Sequence, residues 1–196
     1  MLTYDKYRLK AQTGDMVAFS GTGLASVGIK VASGSEWSHI GMTIVCPEWD
    51  MVLCHETTLL CKVADISSGF VKKGVMLVPL QARIATYQGK VGIRTIRKPL
   101  TLEQLAILRA YRHEVKDRPY ENDFIELVKA VYDGPFGENT QDLTSLFCSE
   151  NFAEPCIRMS LIDDDHPSNE YIPGDFIGPG KYESIWEPVR EIVVTA

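Results

Sequence analysis

The stretch that decides the reading of this chain is Trp37-Ser38-His39-Ile40-Gly41-Met42-Thr43-Ile44-Val45. Its apolar residues Ile40, Met42 and Ile44 recur at every second position, the period of a strand that turns one face to a core. His39, Gly41 and Thr43 fall on the opposite face, where the glycine gives the imidazole an uncrowded flank. Pro47-Glu48-Trp49-Asp50 is turn chemistry, so Met51 to Thr57 reads as the hairpin partner. That partner holds His55 and Glu56 side by side. Strand alternation sends them to opposite faces, and only one of the two can meet His39 across the hairpin.

Upstream of the hairpin, Gly14-Asp15 reads as a turn with a short strand, Met16 to Phe19, behind it. Leu24, Val27, Ile29 and Val31 sit at loosely helical spacing between Ser20-Gly21 and Ser33-Gly34. Downstream, Val75 to Pro79 and Val91 to Ile96 are strand-like, and Gln81 to Tyr87 forms a short helix ending at Gly89. Thr101-Leu102-Glu103-Gln104 matches a capping box and predicts a helix whose inner stripe is Leu102, Leu105, Leu108, Tyr111 and Val115. Phe124, Leu127, Val128 and Val131 predict a second amphipathic helix, stopped by Gly134-Pro135. A third helix should open near Thr144 or Ser145 and carry Cys148, with Pro155 kinking it or cutting it short. Ser184 to Val194 supplies a closing strand. Strands and helices segregate into blocks, the α+β pattern.

The 196 residues fit one domain, 1–196, with no repeat or linker to divide it. At 45% hydrophobic and 23% charged, the composition can bury a sizeable core. A net charge of −6 and a pI near 5.3, with no Lys/Arg run, speak against nucleic acid as a partner, because phosphate recruits basic surfaces. The polar start, Met1 to Asp15, lacks the apolar centre of a secretory signal, and no stretch approaches the roughly 20 apolar residues of a membrane span. A cytoplasmic location as synthesised is therefore expected, with delivery by a virus particle or another export route left open. Five cysteines without a signal imply free thiols rather than a disulfide framework.

Among those thiols Cys148 stands out by position. Capped by Thr144 or Ser145, it would lie in the first turn of a helix, among unpaired N–H groups that favour thiolate. Its bland reading is a buried structural cysteine. A thiolate nucleophile needs a base, and the base an orienting group. Of the four histidines, His113 closes a polar helix end and His166 sits in a loop between Asp163-Asp164-Asp165 and Pro167, which leaves His39 and His55. A carboxylate beside an imidazole fixes its tautomer and steadies the imidazolium, so Glu56 is the natural orienter of His39.

Gly14-Asp15-Met16-Val17, Trp37-Ser38-His39-Ile40-Gly41-Met42, His55-Glu56-Thr57 and Phe147-Cys148-Ser149-Glu150, in this order, resemble the circularly permuted branch of the NlpC-type papain-like cysteine hydrolases, in which His precedes Cys. Arg118-Pro119-Tyr120 with Asp123-Phe124, and Ile172-Pro173-Gly174-Asp175-Phe176, extend the resemblance across nearly the whole chain. It implies Cys148 as nucleophile, His39 as base and Glu56 as third residue, although other members use His there and His55 adjoins it. Tyr120 would line the cleft or support the oxyanion, beside the backbone N–H of Cys148 at its helix start. The implied fold is α+β and papain-like, a small antiparallel sheet packed against helices. The implied reaction is hydrolysis of an amide in a peptidoglycan-type peptide or another small amide, through an acyl-enzyme and without a cofactor. Lipid or thioester acyl transfer is the alternative within the family, and a non-catalytic binding or virion protein is the alternative outside catalysis.

Other constellations are weaker. Cys46, Cys54, His55 and Cys61 lack the Cys-x-x-Cys spacing of a zinc knuckle, and Cys54 and His55 point to opposite faces. Asp163-Asp164-Asp165 lacks the glycine and terminal glutamate of a calcium loop. Gly21 and Gly23 have no Lys-Ser/Thr pair after them to cradle a phosphate. No metal is expected.

Overall fold

The computed structural model describes residues 1–23, 26–27, 30–31, 34–59, 61–116, 118, 140–178 and 180–195, with the side chains of all of these but 140–147. The stretch around Leu24 to Val31 is only partly within them, and the helix expected over Phe124 to Val131 lies outside them. In chain order the elements are β1 (Leu2–Thr3), α1 (Tyr4–Arg8), β2 (Met16–Gly21), β3 (His39–Cys46), β4 (Met51–Thr58), β5 (Gly74–Pro79), α2 (Leu80–Thr86), β6 (Gly89–Arg94), α3 (Leu102–Val115), α4 (Thr140–Arg158), α5 (Pro173–Phe176) and β7 (Arg190–Val193). The α+β class holds, but the sheet is neither small nor wholly antiparallel. Among the described residues it has seven strands in the order β1-β7-β6-β2-β3-β4-β5, and β1 runs parallel to β7. Two residues, Leu2 and Thr3, are too few to carry a period, so this pairing of distant segments left no local signal.

The β3–β4 hairpin forms as its alternation requires, with Met42 opposite His55 and Ile44 opposite Leu53. A single 3-10 turn over Pro47–Trp49 joins the strands, and Asp50 adopts the left-handed conformation at φ 49° to complete it. One face of the sheet carries Met16, Ala18, Ile40, Met42, Ile44 and Leu53 against Phe152, Ala153 and Cys156 of α4 and against Phe176 and Trp186. The other carries Val17, Phe19, Cys54, Val78, Val91 and Ile93 against Tyr4, Tyr7, Leu80 and Ile84 of α1 and α2. Both faces are therefore covered, and each fully buried aliphatic or aromatic side chain contributes roughly 1.5–3 kcal/mol. Asp15, in the turn after Gly14, ties α1 and the segment that follows β6 to the start of β2. Its carboxylate accepts from Tyr7 Oη at 2.7 Å, from the Gln12 N–H at 3.0 Å and from the Ile96 N–H at 2.8 Å.

Two helices depart from expectation. In α3 the capping box between Thr101 and Gln104 is present, and Leu108, Tyr111 and Val115 are buried, but Leu102 and Leu105 of the expected stripe are exposed. Helix α4 starts at Thr140, not at Thr144 or Ser145, and continues through Pro155 to Arg158. Proline there removes one backbone donor without ending the helix. Among the described residues no helix is long and apolar enough to cross a membrane.

Candidate active site

His39 opens β3, at the end of the sheet, and its ring lies 5.1 Å from that of Phe19. Its Nε2 meets Glu56 Oε2 at 2.6 Å. The side chain also hydrogen-bonds Cys148. Cys148, His39 and Glu56 thus meet although the first two stand more than half the chain apart. Cys148 lies at the four-residue spacing of Phe152 and Cys156 on α4, and all three are buried, so the packing of that helix face sets where the sulfur sits. The same turns are pinned by Ser149 Oγ donating to the Tyr171 carbonyl and by Tyr111 Oη donating to Asn151 Oδ1 at 3.0 Å.

The start of α4 at Thr140 corrects one part of the sequence reading. Cys148 is the ninth residue of that helix, two turns in, where a backbone N–H is engaged by the carbonyl four residues back. Neither a first-turn dipole nor a free Cys148 N–H for an oxyanion is available there. The charge partner of the thiol is His39. Tyr120 lies outside the described residues.

Glu56 is fully buried, and a residue that sequence reasoning missed holds it there. Arg83, from α2, donates through Nε to Glu56 Oε1 at 2.6 Å and through Nη2 to Oε2 at 3.1 Å. Its guanidinium is stacked over Phe19 at 4.7 Å and Tyr87 at 5.0 Å. A signal existed: Leu80 and Ile84 mark the apolar stripe of a short helix, and Arg83 sits on that stripe. An arginine in such a place calls for a buried carboxylate.

Electrostatics follow from this chain of contacts. Burial alone would raise the Glu56 carboxyl, but the charge of Arg83 and then the bond to His39 outweigh it and hold the pKa near about 2. Burial likewise pushes the His39 imidazole down, and the charge and hydrogen bond of Cys148, followed by those of Glu56, lift it to about 9. His55 behaves oppositely. It lies on the other sheet face, edge-on to Tyr111, and burial followed by the charge of Arg112 presses it to about 3. Of the two neighbours on β4, Glu56 is the one that meets His39.

Gly41 is what lets β4 approach β3 closely beside Glu56. A Cβ there would stand 2.9 Å from Cys54 Sγ, 3.0 Å from the His55 carbonyl oxygen and 3.1 Å from Glu56 Cβ. Gly41→Ala is accordingly expected to lower stability by about 1–3 kcal/mol through overpacking. Urea unfolding measures this directly, and an unchanged midpoint would remove the steric argument.

Among the described residues, no group of three or more His, Cys, Asp and Glu side chains is placed to hold a metal ion. The cysteines Cys46, Cys54, Cys61, Cys148 and Cys156 are all free thiols.

No family model matches the chain, and no curated protein matches it. Among solved structures, the crystal structure of the metalloprotein YiiX from Escherichia coli O157:H7, DUF1105, shares its fold. The two align with a TM-score of 0.53 at 18% identity, over 95% of this chain and 98% of that one.

Proposed function

We propose that this chain is a cysteine hydrolase of the circularly permuted NlpC-type, papain-like kind, one domain over 1–196, with Cys148 as nucleophile, His39 as acid and base, and Glu56 as orienting group. The observation that carries this reading is His39 hydrogen-bonded to two partners, the Cys148 thiol and the Glu56 carboxylate. Imidazole in that setting keeps one orientation and is favoured as imidazolium. The Cys148 thiolate attacks a carbonyl carbon, and the imidazolium gives its proton to the leaving nitrogen as the carbon–nitrogen bond breaks. Neutral His39 then takes a proton from water, hydroxide adds to the thioester, and the carboxylic product leaves as the thiolate returns. Every step uses side chains of this protein, so no cofactor enters. Arg83 acts through Glu56 and is a positioning residue.

The substrate class we favour is a small amide, with a peptidoglycan-type peptide first. Product analysis by mass spectrometry tests it, using peptidoglycan fragments, lipid amides and acyl thioesters with Cys148→Ala as control. Paired amine and carboxylate products seen only with the intact cysteine support amide hydrolysis. Transfer of the acyl chain from thioesters, with amides untouched, would move the protein to acyl transfer. Turnover of none of the three would overturn the hydrolase reading.

The proton balance makes a further prediction. The leaving group needs imidazolium, which is present below about pH 9 and lost above it. Amide turnover should therefore fall as pH rises through about 9, whereas alkylation of Cys148 by iodoacetamide, which needs no proton donor, should not. Parallel decline of both rates would contradict the assignment of His39 as the acid.

A further inference from the structure

On the sheet face opposite Glu56, a cavity of about 210 Å³ lies between β4 and α3. Arg109, Arg112, His113 and Lys116 line it from the helix side, at spacings that put them on one helical face. His55 and Asp65 line it from the sheet side. Asp65 is already committed: it accepts from the Leu77 N–H at 2.7 Å and the Ser68 N–H at 2.9 Å, and Lys72 Nζ stands 3.2 Å away. Arg112 is not. Among the described residues its Nε is buried with no hydrogen-bond partner, and burial disfavours its cation, with Cys46 opposing that effect and the like charge of Arg109 adding to it. A buried guanidinium nitrogen without an acceptor has lost its water and gained nothing in return, so an acceptor brought to it is favoured. The same positive field helps keep His55 neutral.

We propose that this cavity is a binding site for a small phosphate group, seated against Arg112 with Arg109 and Lys116 around it. A carboxylate would offset one of three cationic side chains, whereas a phosphate monoester brings close to two negative charges and three acceptor oxygens suited to an arginine fork. The volume falls below the roughly 300 Å³ at which ligand pockets usually begin, so the cavity takes a compact group and leaves the remainder of the molecule outside. Two sources share this chemistry. One is a soluble phosphate monoester. The other is a lipid headgroup, because Phe70 and Val71 are 74% and 58% exposed beside Lys72, whose Nζ donates to the Lys116 carbonyl at 3.1 Å.

The site does not depend on the chemistry of Cys148, and Cys148→Ala should bind as the unaltered protein does. Titration calorimetry with glycerol 3-phosphate and co-sedimentation with phosphatidylcholine vesicles containing phosphatidic acid form the two arms. Binding in either arm, weakened about tenfold or more by Arg112→Gln and unaffected by Lys90→Gln at an exposed position outside the cavity, supports the site and identifies the source. Should Arg112→Gln fail to fold, Arg109→Gln/Lys116→Gln replaces it, since both positions are exposed, and the same loss is expected. Absence of binding in both arms up to about 10 mM phosphate, or equal binding by the folded variants, overturns the proposal.

Discussion

Replacing His39 with alanine is expected to slow acylation of Cys148 by a thiol-directed acylating probe at neutral pH about 10²- to 10⁴-fold, the range for a positioned acid–base group. The variant loses both the hydrogen bond to the sulfur and the positive charge beside it. The probe must distinguish Cys148 from four other thiols. Cys54, Cys61 and Cys156 are buried, as Cys148 is, and Cys46 is half-buried, so burial does not single out Cys148 and peptide mapping of the labelled protein is what assigns the label. Cys148→Ala should remove that labelled peptide altogether, while His113→Ala, at an exposed position of α3, should leave the rate unchanged. Equal rates in the unaltered protein and in folded His39→Ala would sever the thiol from the imidazole as a working pair.

Arg83→Met is the substitution expected to cost the most stability. It leaves the Glu56 carboxylate buried with its cation gone, a change that costs roughly 3–5 kcal/mol. The sign of the pH dependence is set by the depressed pKa of Glu56. Its stabilising contribution is complete above the ordinary carboxylate value and is lost as pH falls towards about 2. The deficit of Arg83→Met should therefore be largest near neutrality and narrow on acidification, as the variant protonates Glu56 and sheds the uncompensated charge. Urea unfolding at several pH values reads this out. A second variant, Arg83→Met/Glu56→Gln, should recover much of the loss because no carboxylate charge is left without its guanidinium. An unchanged midpoint in Arg83→Met would mean that Glu56 is not held by Arg83. If activity falls in step with the ionisation of Glu56 rather than with unfolding, Arg83 acts by positioning and not merely by support.

How far the site was legible in the sequence depends on the range of each signal. The face shared by His39 and Glu56 follows from strand alternation and the glycine between two apolar neighbours, all within one hairpin, and it was readable. Selection of Glu56 over His55 follows from the same rule once one partner of His39 is known. The opening of α4 was not readable. Thr144 and Ser145 are cap formers, but both also sit within helices, and no local rule forces a stop upstream of them. Arg83 was overlooked because its partner lies 27 residues earlier on a different element, so only the tertiary contact shows what the charge is for. Strand β1 was missed for the same reason in a smaller compass: two residues become a strand only when Ile192 and Val193 come alongside.

That last contact bears on engineering. Leu2 and Thr3 form the outermost strand of the sheet and cover the backbone of Ile192 and Val193. An uncovered strand presents a row of free N–H and C=O groups on which another polypeptide can assemble. Trimming β1 would bare that row on β7, so a tag or fusion is better placed without disturbing Leu2 and Thr3.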